Sequence, residues 1–149
     1  MTIHAALLQA MRAWFHAAHQ VTNGTGFHGD HDLYKEIYEA ANDNFDVVIE
    51  KSIGIAGCEM IASPCAIMQN ACKILSMNPD PVGMTSLAIA VAGHKMLCKY
   101  TQFLKEINEE LEACGCLTLG LDDFHAATAN AFETFIYKLG QRVKTSLED

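Results

Sequence analysis

Four side chains that commonly bind metal ions recur at fixed spacing between residues 19 and 50. Eleven residues separate His19 from His31, fourteen separate His31 from Asp46, and three separate Asp46 from Glu50. Imidazole nitrogens and carboxylate oxygens with open coordination positions suit Fe(II), and Zn(II) binds the same kinds of ligand. The stretch therefore predicts a metal site for iron, with zinc as a possible substitute.

A predicted helix over residues 27–55 places part of this set on one face. At about 100° per residue, His31, Lys35, Asp46 and Glu50 fall within an arc of roughly 100°. The core stripe of this helix is predicted to contain Leu33, Ile37, Ala40, Ala41 and Val48. His31 and Glu50 lie roughly 28 Å apart along the helix axis, so one chain cannot bind a single ion with both.

Two copies of this helix could bring the separated ligands together. In an antiparallel pair, residue i lies opposite residue 81−i, so His31 faces Glu50 and Lys35 faces Asp46. The two-fold axis then passes between positions 40 and 41, where alanine side chains would allow close approach of the backbones. A two-fold homodimer is the commonest oligomer, and its interface is self-complementary in this way. The pattern predicts a metal site shared between two subunits.

The four residues, together with Gly24 and Phe27 between the histidines, resemble the ferroxidase motif of the Dps family, the dodecameric mini-ferritins. The resemblance implies an all-α, ferritin-like four-helix bundle with a short extra helix in the crossover between the second and third long helices. It extends over a single domain, residues 1–149. It also implies that two-fold dimers assemble into a dodecameric cage.

The activity implied by the resemblance is that of a ferroxidase. Fe(II) would be oxidised by hydrogen peroxide or dioxygen at the site between subunits and stored as Fe(III) in the cage, which protects the cell against oxidative stress. The implied catalytic and metal-binding residues are His19, His31, Asp46 and Glu50.

The chain departs from the family pattern at two positions. Lys35 stands where the family usually has an Asp, and Gln20 where it commonly has a Trp. A protonated ammonium group cannot bind a metal ion. Lys35 could replace a second metal ion, leaving a one-iron site of both histidines and Glu50. It could instead pair with Glu39 one turn on, or extend into solvent.

Apolar side chains at helical spacing predict four long helices and one short one. The expected ranges are 3–21, 27–55, 64–77, 82 or 85–113, and 122–146. Ser63 and Asp122 are the expected N-caps of the short helix and the last helix. Cys98 is placed on the apolar face of the third long helix, and Ala127 and Ala131 on the inner face of the fourth. No His follows a Glu at the third position, so an iron centre inside the bundle is not expected.

Further polar residues have two interpretations each. His16 and His28 precede the two motif histidines by three positions and are either partners of the site or solvated side chains. Four acids between residues 106 and 112 are either a solvated face or a cavity lining. Asp122 and Asp123 begin a helix, and the resemblance adds a possible role at a pore.

Six cysteines without a recognisable signal peptide favour reduced thiols and a cytoplasmic location. The Cys114-Gly115-Cys116 sequence suggests either metal or redox chemistry, or a helix that ends at Gly115. His94 is interpreted as a core histidine. No apolar run approaches the roughly 20 residues of a membrane span, so no membrane partner is expected.

The formal net charge of −8 opposes binding to nucleic acid. The chain has no Lys/Arg-rich end, since only residues 1–2 precede the first helix, residues 147–149 are Leu-Glu-Asp, and Arg142 and Lys144 form a thin basic patch. We predict no appreciable DNA affinity at physiological salt; a retarded band in a gel-shift assay at that salt would contradict this.

Two rival functions remain. The chain could be a Dps-like structural shell or interaction protein whose ferroxidase activity is weakened or lost because of Lys35. It could also be a helical bundle that binds zinc or another ligand. Fe(II) oxidation measured together with assembly size separates the first rival from an active ferroxidase, and identification of the bound metal separates the second.

Overall fold

The computed structural model describes residues 2–145, and every regular element in that range is a helix. These are α1 (Thr2–Val21), α2 (Phe27–Ala56), a 3-10 helix (Glu59–Ala62), α3 (Pro64–Ser76), α4 (Ser86–Ala113) and α5 (Leu119–Thr145). The all-α class is confirmed, whereas the ferritin-like bundle stays a prediction. The predicted helix end at Ser146 and the chain ends at residues 1 and 147–149 lie outside the described residues.

The chain divides into two compact units, residues 1–92 and residues 93–149, with the boundary inside α4. In the first unit, α1 packs against both α2 and α3. The buried face of α1 includes Trp14 and Phe15, and the Phe15 ring centroid lies 5.9 Å from that of Tyr34 on α2. Burial of each large apolar side chain stabilises the fold by about 1.5–3 kcal/mol.

Hydrogen bonds at two places fix the segments between the helices of the first unit. The indole Nε1 of Trp14 donates to the carbonyl oxygen of Pro79 at 2.7 Å, which ties the turn after α3 to α1. Ser86 Oγ donates to the carbonyl oxygen of Asn23 at 2.6 Å and accepts from the Asn23 amide at 3.2 Å. The end of α1 is thereby joined to the first residue of α4.

The ends of α2 and α3 follow ordinary capping chemistry. Gly57 has φ +62° and donates its amide to the carbonyl oxygen of Ile53 at 2.8 Å, so it terminates α2 in the left-handed conformation that glycine adopts at low cost. Ser63 Oγ accepts from the Ala66 amide at 3.5 Å, and Pro64 is the first residue of α3. The predicted N-cap of the short helix is confirmed.

The predicted start of the last helix is wrong by three residues. α5 begins at Leu119, and Thr118 Oγ1 accepts from the Leu121 amide at 3.2 Å. Asp122 is therefore not the N-cap. It lies in the first turn, where its Oδ1 accepts from Asn108 Nδ2 at 2.7 Å.

The buried face of α5 also differs from the expectation. Phe132 is fully buried, and its ring centroid lies 4.9 Å from that of Tyr100 on α4. Ala127 and Ala131, expected to face inward, are exposed, and so is Cys98 on α4. The buried residues of α5 follow helical spacing through Phe132 and comprise Leu121, His125, Thr128, Phe132 and Leu139. The large side chains fix this stripe, and the two alanines lie beside it.

Candidate metal site

The last turn of α1 and the first turns of α2 bring His19 and His31 into direct contact. His19 Nδ1 lies 2.7 Å from the carbonyl oxygen of His31, and His31 Nδ1 lies 2.9 Å from the carbonyl oxygen of His19. The turn that joins the helices includes Gly24, whose φ of +80° favours glycine. The chain thus places the first two motif residues side by side.

These reciprocal hydrogen bonds decide which ring nitrogen can bind a metal ion. A carbonyl oxygen can only accept, so Nδ1 of each ring carries the hydrogen. In the neutral ring the lone pair is then on Nε2. Histidines that bind metal ions commonly donate their other N–H to a carbonyl or carboxylate, which fixes the tautomer and the ring orientation. Nε2 is therefore the nitrogen of His19 and of His31 that is available to a metal ion.

The two imidazoles are also stacked. Their ring centroids lie 3.6 Å apart and their planes differ by 24°. A metal ion lies close to the plane of the imidazole that binds it, and two nearly parallel planes do not meet close to both rings. In this conformation His19 and His31 favour separate ions. A shared ion would require one ring to turn and weaken its hydrogen bond.

Aromatic rings surround the histidine pair. The Phe27 ring centroid lies 4.8 Å from that of His31, and the Tyr38 centroid lies 5.5 Å from that of His19. Tyr38 was not predicted from the sequence, although its position seven residues after His31 places it on the same helical face. His16, one of the two additional histidines, contacts Tyr38 with 4.7 Å between ring centroids. His19 and His31 themselves are half-buried.

The other additional histidine lies beside Phe27. His28 is exposed, and the two ring centroids are 5.4 Å apart. The His16 centroid is 6.3 Å from that of His19. His16 is exposed as well. Either interpretation of these histidines, as partners of the site or as solvated side chains, is compatible with this placement.

Lys35 pairs with Glu39 within its own helix. Nζ lies 3.8 Å from Glu39 Oε1, and the two side chains are 53% and 54% exposed. An ion pair this exposed contributes roughly 0–1 kcal/mol. The ammonium group can therefore leave Glu39 at little cost when a stronger partner is present.

Asp46 and Glu50 occupy the opposite end of α2. Both are exposed, and they border a hollow of about 220 Å³ whose walls include Phe45, Ile49 and Ile67. The unbroken α2 helix keeps these carboxylates on one face with His31 but roughly 20–28 Å from it. Within residues 2–145 of one chain, no three His, Cys, Asp or Glu side chains form a group that could hold a metal ion.

The expectation that two alanine side chains allow close approach at the two-fold axis needs correction. Ala41 is fully buried within its own chain, and Ala40 is half-buried. Residues 39 and 42 instead lie near the midpoint of α2 on the face that carries His31, Lys35, Asp46 and Glu50, and both are exposed. Under the 81−i pairing, Glu39 faces Asn42, so polar side chains meet at the axis.

A polar network in the second unit was not anticipated from the sequence. His125 is buried, and its Nδ1 donates to Asn108 Oδ1 at 2.5 Å, while Asn108 Nδ2 donates to Asp122. Asp122 thus orients the side chains that join α4 to α5, and Asp123 beside it is exposed. A β-carbon added to Gly140 would lie 3.5 Å from His94 Nε2, so His94 packs closely against α5.

No family model, curated protein or solved structure matches the chain. Among residues 2–145, no helix is long and apolar enough to cross a membrane. Evidence on function therefore comes from the residues themselves.

Proposed function

We propose that the protein is a Dps-like mini-ferritin that binds and oxidises Fe(II) at a site completed by a second copy of the chain. The observation that carries the proposal is the reciprocal hydrogen bonding of His19 and His31, with distances of 2.7 Å and 2.9 Å. It prepares two Nε2 atoms for metal binding before any ion arrives. The sequence resemblance supplies the expectation of a cage that stores Fe(III).

The partner would contribute the carboxylates. With two α2 helices antiparallel, the Asp46 and Glu50 ends of one copy lie opposite Lys35 and His31 of the other. Carboxylate oxygen and imidazole nitrogen together bind Fe(II) and leave positions open for hydrogen peroxide or dioxygen. The apolar walls beside the carboxylates would limit the access of water once the second copy covers them. Each dimer would then hold two equivalent sites.

The second candidate is a shell with weakened ferroxidase activity, and Lys35 favours it. Its ammonium group would face Asp46 of the partner, because the ion pair with Glu39 is exposed and easily exchanged. A cation at that position opposes the binding of a second iron. Assembly would then persist while iron oxidation is slow.

A complementation experiment tests whether the site is shared. His31→Ala and Glu50→Ala each remove one half of both sites in a homodimer, so each variant alone should lose Fe(II) oxidation, followed by the absorbance of Fe(III). After the two variants are unfolded together and refolded, mixed dimers contain one intact site. Activity should return to about one quarter of the wild-type value for random mixing.

The matched control uses His19→Ala mixed with His31→Ala. Both changes affect the same half, so no intact site forms and activity should stay absent. Equal results from the two mixtures would refute a shared site. Size-exclusion chromatography of each sample reports assembly, and an assembled wild type without activity would favour the shell. Metal analysis of the purified protein separates iron from zinc.

A further inference from the structure

The turn between α4 and α5 carries two exposed thiols separated by one residue. Cys114 follows the last residue of α4, Gly115 has φ +71°, and Cys116 donates its amide to the carbonyl oxygen of Leu111 at 2.8 Å. The Gly115 amide donates to the carbonyl oxygen of Glu112 at 3.0 Å. These bonds close the backbone into a tight turn, which glycine permits at its centre.

Both thiols donate to backbone carbonyl oxygens of the same turn, Cys114 Sγ to Leu111 at 3.4 Å and Cys116 Sγ to Cys114 at 3.6 Å. A side-chain hydrogen bond with Cys114, supported by the charge of that residue, raises the pKa of the Cys116 thiol. Residues two apart have Cα atoms no more than about 7 Å from each other. Disulfides form across Cα separations of roughly 4.4–6.8 Å, a range that residues two apart in a closed turn can reach.

Two of the other exposed cysteines have different neighbours. Cys65 Sγ accepts from Gln69 Nε2 at 3.5 Å, and Cys98 Sγ lies 3.9 Å from His94 Nδ1. Cys114 and Cys116, by contrast, combine exposure, a shared glycine turn and thiols that donate to the backbone of that turn. This combination suits formation of a bond between them more than coordination of a metal ion, for which two thiols in one chain are too few.

We propose that Cys114 and Cys116 form a reversible dithiol–disulfide site that reduces hydrogen peroxide. The Cys114 thiolate attacks one peroxide oxygen, the O–O bond breaks, and protonation of the departing oxygen gives one water and a sulfenic acid. Cys116 then attacks the Cys114 sulfur, the S–S bond forms, and the hydroxyl leaves as a second water. Two electrons pass from the sulfurs to the peroxide.

The assignment of roles follows from the contact. Cys116 keeps its proton to higher pH than an ordinary thiol, because its hydrogen bond to Cys114 favours the protonated form. It is therefore the second thiol to react. External thiols reverse the reaction by exchange and restore both cysteines. This chemistry does not depend on the proposed iron site.

The wild-type protein allows a direct test. Trypsin cleaves after Lys105 and Lys138, and the peptide of residues 106–138 contains Cys114 and Cys116 as its only cysteines. After treatment with equimolar hydrogen peroxide in the presence of a chelator and alkylation of remaining thiols, this peptide should be unalkylated and lighter than the reduced form by two hydrogen atoms. Dithiothreitol should restore two alkylation sites. Cys116→Ser should leave a sulfenic acid at Cys114 that reacts with dimedone.

Gly115→Ala provides a second readout, since an alanine at positive φ disfavours the closed turn. Disulfide formation should slow several-fold, while a Gly29→Ala control, in a helix with free space around the added β-carbon, should leave the rate unchanged. Two alkylated thiols after peroxide treatment would overturn the proposal. A sulfinic acid in place of the disulfide, or a peptide linked to a second chain, would overturn it as well. Two thiols that peroxide does not oxidise but that bind cadmium tightly would also overturn the proposal.

Discussion

The imidazole of His19 donates to the backbone of His31, and the imidazole of His31 donates to the backbone of His19. Each histidine therefore orients the other, and both bridge the turn between α1 and α2. The same two bonds that fix the ring tautomers also hold two helices together. Both histidines should therefore contribute to the free energy of unfolding even in the absence of a metal ion.

The first prediction is that His19 and His31 are energetically coupled in the metal-free protein. Each single change to alanine removes the hydrogen bond donated by that side chain and the stacking of the two rings, whereas the backbone acceptors remain. The stacking is lost in either single variant, so the double variant should lose less than the sum of the two. We expect a coupling free energy of about 0.5–1.5 kcal/mol, in the range of a pair of stacked aromatic rings. Urea unfolding in the presence of a chelator measures it.

His16 and His31 supply the control pair for this comparison of single and double variants. The His16 ring contacts Tyr38 and lies 6.3 Å from the His19 centroid, and its alanine variant should combine additively with His31→Ala. Additivity for His19 and His31 as well would show that the stacking of the two rings contributes nothing to stability.

The second prediction concerns Lys35 as a substitute for a metal ion. Lys35→Asp removes the cation and adds a carboxylate, so tightly bound Zn(II), used as a redox-inert probe, should rise by about one ion per subunit. Lys35→Gln removes the cation alone and should give a smaller increase. Glu39→Gln breaks the pair seen at 3.8 Å and should change nothing. Unaltered stoichiometry in Lys35→Asp would eliminate the idea that Lys35 replaces a second ion.

Local sequence signals predicted the helices and several ends correctly. The Ser63-Pro64 pair suffices to start α3, because a hydroxyl cap and a fixed φ act within four residues. Thr118 and Asp122 are both good caps, and the choice between them depends on Asn108, fourteen residues before Asp122, which binds the carboxylate. Contacts at this distance along the chain have no local signature.

The site shows the same division. The spacing of His19 and His31 identified the pair, but only the folded turn reveals that each ring donates to the backbone of the other residue and that the rings stack. Ala41 shows that the pairing of residue i with residue 81−i does not by itself identify the residues at the two-fold axis. The pairing gives the position of Ala41 along the helix axis. The direction of the side chain around the axis, which buries Ala41 within its own chain, must be considered as well.

The third prediction uses two glycines near the end of α2 that differ in backbone conformation. Neither Gly54 nor Gly57 has an atom within 4 Å of an added β-carbon, so packing does not separate them. Gly54 lies inside the helix, and Gly54→Ala should stabilise the protein by about 0.5–1 kcal/mol. Gly57 has φ +62°, and Gly57→Ala should destabilise it by about 1–2 kcal/mol. Urea unfolding of both variants measures the difference, and shifts of equal sign would contradict this account of the helix end.

The fourth prediction concerns stability at alkaline pH. Tyr100 is fully buried, and desolvation of the phenolate raises the pKa of its phenol far above the ordinary value of about 10. Below about pH 10 the phenol is neutral in both the folded and the unfolded chain, so its contribution to stability is complete. As the pH rises further, the phenol ionises in the unfolded chain while it stays protonated in the folded chain. The free energy of unfolding must then fall.

Tyr100→Phe removes the ionisable phenol. Above pH 10 the free energy of unfolding should therefore fall less steeply, by up to about 1.4 kcal/mol per pH unit. Urea unfolding between pH 8 and pH 11 measures the slope. Tyr137→Phe is the matched control, because this side chain is 66% exposed and the variant should retain the wild-type pH dependence. If both variants decline as steeply as the wild type, other groups such as lysines cause the alkaline loss. A steeper decline in Tyr100→Phe would reverse the sign required by a buried, neutral phenol.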